Sequence, residues 1–171
     1  MSVHSTVVTA ALFALLLAAG NAGAAPKPSA DDTAKFAAAA APMKADAVER
    51  LYAGRTWLWE KNGAGFFSID GNGRKRFEAR TRTGYGKGDW YVTSGGKLCM
   101  RARWAAKNDR GGGAITCFLH RERNGVVYQR SSLGGQWYVF RNNPVGKNDE
   151  ARKLVKGDRV SKELSQLKTR L

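Results

Sequence analysis

The chain has 171 residues, of which 29 are lysine or arginine and 14 are aspartate or glutamate, so its formal net charge is +15. This length suits one domain with a modest core, and the charge favours anionic partners. The chain has only two cysteines, with no second cysteine pair and no partner histidine motif, which disfavours the alternative of a catalytic or metal-bound thiol.

The first residues have the features of a secretory signal peptide. The apolar run at residues 7–19 is 13 residues long, which is too short to span a bilayer. Ala22-Gly23-Ala24 follows it, and this is the small-residue pattern that signal peptidase cuts. We predict a signal peptide over residues 1–24, a periplasmic or secreted location, and no transmembrane segment after cleavage. A short buried helix is the alternative, but nothing amphipathic flanks the run.

The segment after the cleavage site changes character at Pro42. Residues 25–42 are rich in alanine and proline and carry little apolar surface, so we predict a flexible tether with at most a frayed helix from Asp32. A β domain is predicted over residues 43–147. It opens with a short helix at 43–53, whose apolar residues share one face and which Gly54 ends.

The centre of the chain consists of short alternating runs separated by Gly, Asn, Asp and Ser, which is typical of antiparallel sheet. In the third run, alternation places Phe77 and Ala79 in the core and Arg76 and Arg80 outside. The prediction is a mainly β fold, a small barrel or curled sheet of about eight strands. The predicted strands are 56–59, 65–69, 74–83, 89–93, 97–104, 114–120, 126–130 and 137–140.

The last residues are predicted to lie outside this domain. Residues 148–171 form a basic C-terminal tail with seven basic and four acidic side chains. Leu164, Leu167 and Leu171 have helical spacing after Ser161, so the tail is predicted to be partly helical.

The two cysteines set the register of one hairpin. If the loop at residues 105–113 joins two antiparallel strands, Cys99 lies directly opposite Cys117 and can form a disulfide. An exported chain with two cysteines most simply forms one bridge. The same register places Met100 and Trp104 on the core face.

The other face of this hairpin is the predicted binding surface. With Asn124-Gly125 as a two-residue turn, Arg121 lies opposite Tyr128. Arginines that only keep the protein soluble are the alternative, and a slip of one residue would scramble the face. The predicted anion-binding residues are Arg101, Arg103, Arg121, Tyr128 and Arg130.

No catalytic residue, metal or cofactor is predicted. His120, the only histidine after the predicted cleavage, falls at the end of the core face and away from Tyr128, which disfavours a His–Tyr acid/base pair. The glycines at residues 84–88 lack the Ser or Thr after lysine that a phosphate-binding loop needs.

Several short motifs resemble the family of secreted bacterial proteins known as domain of unknown function 995, over roughly residues 46–145. The resemblance implies export in Gram-negative bacteria and a disulfide-bonded sheet domain, and it supplies no catalytic residues. Gly88-Asp89-Trp90 is also similar to the Gly-x-Trp of small lipocalin-like barrels, from which no ligand cavity is assumed. The motifs are Leu51-Tyr52-Ala53-Gly54-Arg55-Thr56-Trp57-Leu58-Trp59, Gly88-Asp89-Trp90, Leu98-Cys99, Cys117 and Trp137-Tyr138-Val139-Phe140.

The functional expectation follows from where the charge lies, because residues 54–147 carry 18 basic and 6 acidic side chains. We expect an exported, strongly basic, non-enzymatic binding protein for an anionic envelope component such as lipopolysaccharide, or for an acidic polysaccharide. One alternative is a protein-interaction or regulatory factor that docks on an acidic periplasmic protein. Another is an enzyme acting on acidic glycans. Nucleic acid binding is expected to be only non-specific.

Overall fold

A computed structural model describes residues 29–59, 62–106 and 111–168. They form a curled antiparallel half-barrel, and all eight predicted strands are present. The helices are α1 (Ala30–Ala38), α2 (Ala45–Tyr52), the 3-10 helix η1 (Glu150–Lys153) and α3 (Ser161–Lys168). The strands are β1 (Ala41–Pro42), β2 (Arg55–Leu58), β3 (Ala64–Ile69), β4 (Lys75–Arg80), β5 (Gly84–Thr93), β6 (Lys97–Ala106), β7 (Gly113–Arg123), β8 (Val126–Ser131), β9 (Tyr138–Arg141) and β10 (Leu154–Lys156).

The strands follow one another across the sheet in the order β10-β2-β3-β4-β5-β6-β7-β8-β9. The first residue of β6 pairs with Leu119 of β7, and beyond this point β7 pairs with the short strand β1, with Pro42 opposite Arg121. The 3-10 helix η1 lies between the two edge strands in sequence, and its Glu150 accepts a hydrogen bond of 3.0 Å from Trp57 Nε1 on β2. One layer of sheet therefore provides both a concave inner face and an outer face.

The predicted register is confirmed. Cys99 lies opposite Cys117 and the two form a disulfide with an S–S distance of 2.06 Å. Arg121 lies opposite Tyr128 across the Asn124-Gly125 turn, in which both residues have positive φ. Alternation along each strand therefore divides inner from outer side chains as the sequence predicts.

The inner face holds the main core. Its largest fully buried side chains include Trp90, Phe67 and Phe77, and Tyr52 of α2 packs against Phe67 with ring centroids 5.1 Å apart. The helix predicted at 43–53 is confirmed, and Gly54 follows it with a φ of +68°. Helix α2 thus packs against the inner side of the sheet.

The tether predicted over residues 25–42 is corrected for its described part. Residues 30–38 form α1, which begins after the N-cap Ser29 and packs on the outer face of the sheet, with Ala37 fully buried. Residues 41–42 then join the sheet as β1. Small alanines give little apolar area, but they allow close approach to Tyr128, which the composition of the segment did not reveal.

The tail predicted over residues 148–171 is also corrected. Strand β10 pairs with β2, and Leu154 is buried in the core. Helix α3 forms where the leucine spacing predicts it, but Val160 and Leu164 bury it against the outer face of the sheet. Residues 148–168 are therefore part of the same domain.

The predicted signal peptide and its cleavage site lie outside the described residues. Within the described ranges, the helices are all too short or too polar to cross a membrane.

Candidate functional site

Small residues hollow out one part of the inner face. On three neighbouring strands, Gly65 lies opposite Ala79 and Ala79 lies opposite Gly86, so a row across β3, β4 and β5 carries almost no side-chain volume. One step along the strands, Gly88 lies opposite Ala102. Because cross-strand partners project from the same face, these positions leave a recess in the half-barrel.

Two tryptophans lie directly on the glycines of this recess. A Cβ added at Gly65 would lie 2.8 Å from Trp59 Cζ2, and one added at Gly86 would lie 3.0 Å from Trp104 Cδ2. Glycine is therefore required here for the close approach of an aromatic ring to the strand backbone. The rings of Trp59 and Trp104 therefore occupy the recess.

An apolar cavity of about 300 Å³ lies against these two tryptophans. This is at the lower end of the range for small-molecule sites, and about twice the volume of an apolar cavity of ~150 Å³ that admits benzene. It can hold a two-ring system or part of an alkyl chain. The lining residues are Trp57, Trp59, Phe77, Met100, Ala102, Trp104, Thr116, Phe118 and Tyr138.

A chain of hydrogen bonds leads from the cavity wall into the core. The Tyr138 hydroxyl donates to Gln129 Oε1, and Gln129 Nε2 donates to the Tyr52 hydroxyl oxygen at 2.7 Å. The Tyr52 hydroxyl lies 2.9 Å from His120 Nε2, and His120 Nδ1 lies 3.1 Å from Gly96 O. Because a carbonyl only accepts, Nδ1 carries the proton and Nε2 accepts. The network holds Tyr138 in place at the cavity.

This network is neutral at ordinary pH. Burial lowers the pKa of His120 to about 4, since a charged imidazole would lose its hydration. Burial also raises the pKa of Tyr138, and the nearby Glu150 carboxylate raises it further. His120 is fully buried and bonds to Tyr52, whereas Tyr128 lies on the other face of the sheet. The separation of His120 from Tyr128 that the register predicts is therefore confirmed.

The five predicted anion-binding residues share the outer face but are not brought together. Arg101 and Arg103 are exposed on β6. Arg121 and Arg130 lie at the side covered by α1, and Tyr128 is only 6% exposed because α1 packs on it. The prediction of a single open face is therefore corrected, because α1, which lies in the segment predicted to be a tether, covers part of the outer face.

Arg101 belongs to a ladder of surface charges across β4, β5 and β6. Asp89 lies 3.1 Å from Arg76 and 3.5 Å from Arg101. Exposed ion pairs of this kind contribute little to stability. Among the described residues, no carboxylate forms an ion pair with Arg103, which projects from the outer face, whereas its neighbour Trp104 lines the cavity on the inner face.

Sequence reasoning missed the role of Trp137, which it placed only at the start of the predicted strand 137–140 and in a motif of the family resemblance. Trp90 is buried on the inner face, but Trp137 lies on the outer face beside α1. There the guanidinium of Arg130 lies 4.8 Å, and that of Arg121 5.3 Å, from the Trp137 ring. Gln129 and Tyr138 are cross-strand partners that point inward, so alternation along the chain places their neighbours Arg130 and Trp137 on the outer face. This alternation is the feature of the sequence that could have identified the pair.

One comparison with known proteins gives a match. The profile of a family described as "Protein of unknown function (DUF995)" matches residues 14–160. No curated protein and no solved structure matches the chain.

Proposed function

We propose a function for this protein from the geometry of its structure. The chain belongs to the DUF995 family of proteins of unknown function. The protein is a non-enzymatic binding module for an anionic amphiphile of the bacterial envelope. The apolar part of the ligand enters the cavity, and its anionic group stays outside. The observation that carries the proposal is the 300 Å³ cavity, whose walls include three tryptophans and two phenylalanines.

The lining of the cavity determines which part of the ligand enters. Among the described residues, none of the side chains that line it is charged, and the indole N–H of Trp57 already donates to Glu150. An ionised group moved into such a site would lose its hydration without gaining a partner, which is costly. An acidic polysaccharide has no apolar part to fill the space, so the geometry favours an amphiphile.

Positive charge beside the cavity supports an anionic ligand. Trp104 also lines a smaller hollow together with Thr81 and Thr83 of the β4–β5 turn. Arg82, between these threonines, is exposed. In the part of the chain that the structure describes, Arg82 has no ion-pair partner, so it is available to an anionic group.

Binding of dodecyl phosphate, followed by tryptophan fluorescence below its critical micelle concentration, tests the proposal. Ala102→Phe fills the cavity and is expected to weaken binding at least tenfold, which corresponds to about 1.4 kcal/mol. Ala34→Phe, an equal substitution at an exposed position of α1, should bind as the unmodified protein does. A neutral glycoside detergent with the same chain should bind more weakly than the phosphate and with less dependence on salt.

Thermal unfolding checks that Ala102→Phe is folded, and Ala102→Leu is the smaller replacement if it is not. Unchanged affinity in a folded, cavity-filled variant would contradict the proposal. That result would place binding on the outer surface, as docking on an acidic protein requires.

A further inference from the structure

The outer face carries a second candidate site, which we call the Arg–Trp–Arg cluster. It consists of Arg121, Trp137 and Arg130. Both guanidinium groups lie over the same indole ring, at 5.3 and 4.8 Å from its centroid. Two like charges held this close repel each other. Contact with the aromatic ring offsets part of this repulsion.

Arg121 has protein partners that orient it. Its Nη1 donates to Ala37 O at 3.0 Å and to Ala38 O at 3.1 Å, which are carbonyls at the C-terminal end of α1. A cation at this end of a helix is favourable because the last carbonyls have no helical partner. Arg121 is thereby fixed beside Trp137, with its other nitrogens not used by these bonds.

Arg130 has no such partner among the described residues. Its Nε is buried and makes no hydrogen bond, and none of the described carboxylates forms an ion pair with it. An arginine has five N–H donors, and a buried donor without an acceptor costs free energy. The side chain is nevertheless partly exposed, so an acceptor can reach it from solvent.

We propose that the Arg–Trp–Arg cluster is a binding site for a phosphate group. A phosphate monoester carries a charge of about −1.5 to −2 at neutral pH, which matches two guanidinium groups better than a single carboxylate does. The planar fork of Arg130 suits bidentate contact with its oxygens. Arg121, oriented by α1, supplies the second cation.

This site is separate from the cavity and does not depend on it. Trp137 and Tyr138 are neighbours in the chain, but Trp137 packs with α1 on the outer face while Tyr138 lines the cavity on the inner face. Arg130 and Gln129 are divided in the same way. The sheet itself lies between the two sites.

Titration calorimetry with inorganic phosphate tests the site, with Arg130→Gln as the variant and Arg103→Gln as the control. Both variants lose one positive charge, but Arg103 lies on β6, outside the cluster. We expect Arg130→Gln to weaken phosphate binding at least tenfold and Arg103→Gln to change it less than twofold. Arg130→Lys, which keeps the charge but not the fork, should lie between them.

A second measurement guards against misfolding. Phosphate should raise the thermal midpoint of the unmodified protein and of Arg103→Gln, but not that of Arg130→Gln. Vesicles of phosphatidylcholine with and without phosphatidic acid then separate a lipid phosphate from the free ion as the source. Absence of binding to both inorganic phosphate and phosphatidic acid, or an equal loss in the two glutamine variants, would overturn the proposal.

Discussion

Protonation of His120 is expected to destabilise the fold. The ring is fully buried, and its two nitrogens already bond to Tyr52 and Gly96. Burial lowers its pKa to about 4, against an ordinary value of 6.5. Between these values the unfolded chain binds a proton that the folded protein does not, so stability falls as the pH is lowered through this window.

The size of the effect follows from the difference in pKa. A pKa difference of about 2.5 corresponds to about 3 kcal/mol of unfolding free energy, and this loss is reached near pH 4. Because a domain of this size is stable by only about 5–15 kcal/mol, this single group accounts for a large share of acid sensitivity. A backbone hydrogen bond from Arg74 holds the pKa of the Asp70 carboxyl below its ordinary value of 3.8, so the stability that this group contributes is lost mainly below the window in which His120 titrates.

Urea unfolding at a series of pH values measures this effect in a chain that lacks residues 1–24, so that His120 is its only histidine. We expect the unfolding free energy to fall by about 3 kcal/mol from neutral pH to about pH 4. His120→Gln, which can still accept from Tyr52 but does not titrate, should remove most of this slope. An equal slope in the two proteins would contradict the assignment of this pH dependence to His120.

Two further predictions concern the sheet. Gly88→Ala should destabilise the protein by about 3 kcal/mol or more in chemical denaturation, because its Cβ would lie 1.9 Å from Arg101 O. Gly71→Ala, where a Cβ meets nothing within 4 Å, is the control and should change stability by less than about 0.5 kcal/mol. Replacing Cys99 and Cys117 together by alanine should cost about 3 kcal/mol, since the bridge closes a loop with a sequence separation of 18. Equal midpoints for the oxidised and reduced protein would contradict that estimate.

The sheet and its register could be predicted because their signals are local. Alternation along β4 places Phe77 inside without reference to any other strand, and short turns such as Asn124-Gly125 join consecutive strands. The pairing of Cys99 with Cys117 follows from the centre of one hairpin. Each of these features depends on neighbours in the chain, so the sequence alone determined the fold class, the two faces and the disulfide.

The candidate sites depended on contacts that local pattern does not contain. Gly65, Ala79 and Gly86 occupy inward positions, but what packs over such a row of small residues depends on other parts of the chain. Here the rings of Trp59 and Trp104 lie on the glycines. A register shift between Val127 and Tyr128 determines how β9 pairs with β8. A β-bulge of this kind changes which side chains face inward.

The outer face shows the same division between local and distant information. That Arg101, Arg121 and Arg130 project from one side of the sheet could be read from the sequence, because side chains alternate along a strand. Contacts between distant segments make α1 cover Tyr128 and orient Arg121, while Arg130 Nε has no hydrogen-bond partner among the described residues. A helix of small side chains docks by fit to a distant surface, and that fit exists only once the sheet has formed.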